Sequence, residues 1–88
     1  MTTNELRAKY QGIVSECRKA EKTEDTVTAR FNAAADLELA QNAFMESVAD
    51  AATRAAAWRV YHAAWNALAF PAGAESTEFM EDFDAKEE

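Results

Sequence analysis

The chain has 88 residues, one cysteine and a formal net charge of −7, a length that makes one domain with a limited buried fraction. A single Cys17 excludes the internal disulfide that staples small secreted domains, no stretch is apolar for long enough to span a bilayer, and MTTNELRAKY lacks the apolar segment of a signal peptide. Residues 1–70 carry nine acids against eight bases, so there is no concentrated basic surface; direct nucleic-acid binding is not expected, and a cytoplasmic protein without membrane association is.

Thr2 and Glu5 stand at capping-box spacing and predict a helix start. Leu6, Tyr10, Ile13, Cys17 and Ala20 follow at steps of four and three, which sets them on one helical face. The helix should run from Thr3 to Lys22, with Gly12 costing about 1 kcal/mol relative to alanine. In KTEDT, Thr23 or Asp25 can cap a second helix whose positive end suits Glu24 and Asp25.

From that point no glycine or proline intervenes until Pro71. Val27, Phe31, Ala34 and Leu37 begin an apolar stripe. Phe44, Val48, Ala51, Ala55, Trp58, Tyr61, Trp65 and Leu68 continue it in phase. Two all-α architectures follow. In one, ESVAD holds a turn, Ser47 or Asp50 caps a third helix, and residues 1–70 form an antiparallel three-helix bundle. In the other, residues 24–70 form one helix about 70 Å long in a helical hairpin, buried only by association with other chains. The bundle is favoured because 47 unbroken residues far exceed the usual helix length.

Pro71 ends the helical run, and PAGA is a short link. Residues 71–88 form an acidic tail with seven acids and one base, Lys86. Ser76 or Thr77 can cap a short helix with Phe79 and Phe83 on one side and Met80 adjoining. Acids that oppose self-burial, set among three large apolar residues, suit a segment that folds on binding a groove lined by apolar and basic groups. Folding back over the bundle and plain solvation are the two bland readings of the same residues.

Catalysis has little to work with. His62 is the only histidine and Cys17 the only thiol, and they fall on segments assigned to different helices, so neither a metal site nor a nucleophile–base pair is expected. Two glycines exclude a phosphate-cradling loop. Glu81 and Asp82 adjoin, but catalytic carboxylates need a cleft to hold their separation and shift their proton affinity. No enzyme activity and no cofactor are expected.

WRVYHAAW is the remaining feature. Trp58, Tyr61 and Trp65 form one strip with Arg54 and Arg59 near it. The strip reads either as bulk that fills an alanine-rich core or as the anchors of a protein interface. In its size, acidity and want of catalytic groups the chain is similar to small accessory proteins of viruses and mobile elements that inhibit or redirect host machinery, a likeness of style that rests on no motif. The functional expectation is a protein-binding module or inhibitor acting stoichiometrically, with Phe79, Met80, Glu81, Asp82, Phe83, Trp58 and Trp65 as candidate contacts. A structural homo-oligomer is the alternative. A nucleic-acid mimic ranks lower, because a mimic needs acids spaced over a surface and the body here is near neutral.

Overall fold

The start of each of the three helices can be traced to a named side chain. The computed structural model describes residues 1–23 and 25–69, in which α1 spans Thr3–Ala20, α2 Thr26–Ser47 and α3 Ala51–Ala69. The expectations for residues 71–88 lie outside the described residues, as does Phe70.

The capping box at the start of α1 forms as expected. Thr2 Oγ1 accepts from the Glu5 amide at 3.1 Å, and Glu5 accepts from the Thr2 amide at 2.9 Å. The bond from the Thr2 amide, with the Thr2 hydroxyl adding to it, favours the ionised carboxylate and lowers the Glu5 pKa. The helix ends two residues earlier than its periodicity suggests, in a tightened turn where Lys22 donates to the Lys19 carbonyl and Thr23 to that of Ala20. Asp25 then caps α2 through the Thr28 amide.

The sequence left open whether residues 24–70 are one helix or two, and the structure breaks them at Val48–Asp50. Val48 turns extended, with φ −125° and ψ 124°. Asp50 accepts from both the amide and the hydroxyl of Thr53 at 2.8 Å, which lowers its pKa and starts α3. Arg54, from the first turn of α3, donates back to the carbonyls of Met45 and Val48 at 2.8 and 2.7 Å. One guanidinium thus satisfies carbonyls that the end of α2 leaves open. Neither glycine nor proline is needed, and the single long helix of the hairpin alternative is not formed.

All three helices touch one another. Glu21 pairs with Arg30 and Tyr10 with Gln41, so α2 runs back along α1; Tyr10 against Tyr61 and Arg18 against Ala67 set α3 parallel to α1. The helices therefore run up, down and up around one core.

That core is lined differently from the stripe expected. α1 contributes Leu6, Tyr10, Val14 and Cys17, with Ile13 and Ala20 at its margin. On α2 the buried side is Ala29, Ala33, Leu37, Ala40, Gln41 and Phe44, whereas Val27 and Phe31 are each 73% exposed. α3 buries Ala57, Val60, Ala63, Ala64, Ala67 and Leu68. Ala51, Ala55, Trp58 and Trp65 face out and Tyr61 is half-buried. Small residues on α2 and α3 let the backbones approach, and α1 brings the bulk into the seam.

Gly12 lies in the middle of α1 on its exposed side, and a methyl group built there meets nothing within 4 Å. Gly12→Ala should therefore stabilise the fold by about 1 kcal/mol through helix propensity alone. Thermal unfolding should show a midpoint raised by about 4–8 °C; an unchanged or lowered midpoint would mean that side of α1 is not open.

Candidate partner-binding face

Spacing along α3 puts Trp58, His62 and Trp65 on the side turned away from the core, while Tyr61 lies on the flank towards α1. The rings form a connected row. Trp58 meets Tyr61 edge-on at 5.5 Å and stacks on His62 at 5.8 Å, and Tyr61 meets Trp65 edge-on at 6.3 Å. Trp58 remains 45% exposed and Trp65 38%. The reading of these tryptophans as core filling is thereby corrected: the buried positions of α3 are occupied by alanine, valine and leucine, together with Asn66.

The row is anchored from beneath. Tyr61 packs edge-on against Tyr10 at 6.2 Å, and Tyr10, fully buried, donates its hydroxyl to Gln41 Oε1 at 2.6 Å. Burial raises the Tyr10 pKa, with the nearby Tyr61 adding to the effect, so the hydroxyl stays a donor. A chain of contacts from α2 through α1 to α3 holds the aromatic row in place, which limits the ordering cost of covering it.

Its electrostatic setting is one-sided. α3 contains Arg54 and Arg59 and no acid. On α1 the flank that faces α3 carries Arg7, Gln11 and Arg18 at helical spacing, and Arg18 crosses to the Ala67 carbonyl at 3.4 Å. The Glu5 and Glu16 carboxylates belong to other sides of α1, Glu5 in the cap and Glu16 towards α2. Aromatic surface on a helix that carries Arg54 and Arg59 and no acid of its own suits an acidic, apolar segment.

The other surface features suit different roles. A groove of about 530 Å³ between α1 and α2 is lined by Lys9, Gly12, Glu16, Cys17, Asn32 and Asp36 among others. Cys17 is buried, and burial followed by the neighbouring Glu21 pushes its thiol pKa up, so it is held as the unreactive thiol. Among the described residues no group of three or more histidine, cysteine and acidic side chains is placed to hold a metal ion, and no helix is long and apolar enough to cross a membrane. α2 also presents Val27, Phe31, Ala35 and Leu39 outwards at steps of four, beside Asp36 and Glu38.

Of the residues expected to contact a partner, Trp58 and Trp65 are brought together on one face, while Phe79, Met80, Glu81, Asp82 and Phe83 lie outside the described residues. Sequence reasoning missed Tyr10 and Gln41 as supports of that face. Their signal was a glutamine four residues after Leu37, on the apolar side of α2. The chain stands apart in comparison with known proteins: no family model matches it, and neither a curated protein nor a solved structure does.

Proposed function

We propose that this chain is a non-enzymatic, protein-binding module that acts stoichiometrically, as an inhibitor or adaptor, through the aromatic face of α3. The observation that supports this reading most is the exposure of both tryptophans on a helix that has no acid and is braced from the core. Exposed tryptophan in a rigid setting is the usual composition of an interface anchor, and guanidinium groups beside it steer an acidic partner. The face accordingly suits a partner segment with aromatic or aliphatic residues set among carboxylates.

Affinity capture from a lysate with the intact protein, beside the Trp58→Ala/Trp65→Ala variant, tests this. The variant should stay folded and should lose its partner, with a cost of about 2 kcal/mol or more for each anchor that matters. Retention of the same partner by the double variant would move the site elsewhere. The second reading, a homo-oligomer, is favoured by the outward row of Val27, Phe31, Ala35 and Leu39 on α2. In that reading Phe31→Ser would convert an assembly to a monomer in light scattering.

A further inference from the structure

We infer that the partner seated on the aromatic face of α3 is a second copy of this chain, which presents the outward row of its α2, so that copies join head to tail. The pairing rests on the partner-binding reading of that face and supplies its partner. Among the described residues, the large apolar side chains left exposed are Met1, Val27, Phe31, Leu39, Trp58 and Trp65. Apart from Met1 they fall on two rows, one on α2 and one on α3, and contiguous apolar surface of this kind marks an interface.

Charge decides which row meets which. α2 contains Asp36, Glu38 and Glu46, all exposed, and its one base, Arg30, is held by the Glu21 carboxylate at 2.9 Å. Glu46 shares the outward side with Ala35, Leu39 and Asn42, at steps of four, three and four, and Glu38 flanks Leu39. α3 carries Arg54 and Arg59 and no acid. Pairing two α2 rows would gather acids with acids, and pairing two α3 rows would gather guanidinium groups; α2 against α3 sets opposite signs together. The outward row of α2 is thus itself a set of aromatic and aliphatic residues among carboxylates, the composition that the α3 face suits.

The relief of the two rows matches as well. Ala35 leaves a hollow between Phe31 and Leu39, which stand about 12 Å apart along the axis of α2, while Trp58 and Trp65 stand about 10 Å apart along α3. One indole enters the hollow and the other lies beyond Phe31 or Leu39, as ridges meet grooves between packed helices. Because the two rows are different surfaces, a copy that has given its α2 row keeps its α3 row open, and addition continues until a ring closes.

Light scattering of the full-length protein should show a weight-average mass that climbs from one chain to several across the micromolar range and falls back with added salt. Phe31→Ser/Leu39→Ser breaks one row and Trp58→Ser/Trp65→Ser the other; each should keep the helical circular dichroism of the parent and remain a single chain. Mixed in equal amounts, the two variants should form a pair of chains and nothing larger, since one intact row of each kind remains. Self-association of either variant alone would overturn the proposal, because like rows would then be pairing, and so would a mixture that stays monomeric. Glu38→Lys/Glu46→Lys, at exposed positions, repeats the test without touching an apolar side chain. Its dissociation constant should rise about tenfold, and an unchanged constant would count equally against the pairing. A parent that remains one chain throughout overturns the self-pairing alone; the capture experiment with Trp58→Ala/Trp65→Ala still decides whether the aromatic face binds another protein.

Discussion

Leu37→Ala is expected to cost about 3 kcal/mol and to leave the chain close to unfolding. Leu37 is fully buried in the middle of α2, where the neighbours on its own inward face are Ala33, Ala40 and Gln41. Among the described residues, seven of the fifteen buried apolar ones are alanine, and alanine has no side-chain freedom with which to fill a cavity, so the void persists. A chain of this length is stabilised by roughly 4–13 kcal/mol in total, and a core built so largely of small residues belongs near the lower end. Phe31→Ala on the opposite side of α2 should change stability by no more than about 0.5 kcal/mol, although phenylalanine is the larger residue. Urea denaturation of the two variants gives the ranking directly, and the reverse order would return the core of α2 to the Val27–Phe31 side.

The second large effect is expected at the buried pair of Tyr10 and Gln41. Gln41 is 2% exposed and its Nε2 has no hydrogen-bond partner in the described structure, so the Tyr10 hydroxyl supplies the contact that its side chain does make. Tyr10→Phe removes that contact and should cost about 1–3 kcal/mol, the desolvation cost of a buried polar group left unmatched. Adding Gln41→Leu should recover most of the loss, because an apolar pair of similar shape leaves nothing unsatisfied. A double-mutant cycle measures the coupling, and simple additivity would show that the bond contributes nothing. The same pair predicts an alkaline limit. Burial raises the Tyr10 pKa in the folded state, so its stabilising contribution is complete below the ordinary tyrosine value of about 10. Above that value the unfolded chain ionises first and stability declines with pH until the folded value is passed. Tyr10→Phe should remove that part of the decline.

Local chemistry was the legible part of this sequence. The capping box at Thr2 and Glu5, the cap at Asp25 and the cap at Asp50 act within four residues, so their partners can be read without knowing what packs where. The face of each helix that turns inward is a global property, and it was legible on α1 alone, where apolar residues occupy one side. α2 has Ala29, Ala33 and Ala40 on one side and Val27, Phe31 and Leu39 on the other, with Leu37 and Phe44 among the first set. Reading bulk as burial chooses the wrong side at its N-terminal half. The structure shows why: α1 carries enough volume in Leu6, Tyr10 and Val14 that the facing helices must be thin. The same trade turned Trp58 and Trp65 outwards on α3. Their role as candidate anchors was legible from residue type, and their anchoring through Tyr61 and Tyr10 to Gln41 was not, because it joins three helices.

The alanine seam also reverses the ordinary relation between a residue's size and its freedom to vary. In most small domains the large apolar residues are constrained and the alanines drift. Here Ala57, Ala63 and Ala64 are sealed from solvent, and any added methyl group must push two backbones apart, at a cost of about 1–3 kcal/mol. Val27 and Leu39 stand in water and touch no such limit. Descent would accordingly leave its record in the smallest side chains, so a distant relative of this chain would be betrayed by the spacing of its alanines across α2 and α3 while its bulky residues had changed beyond recognition.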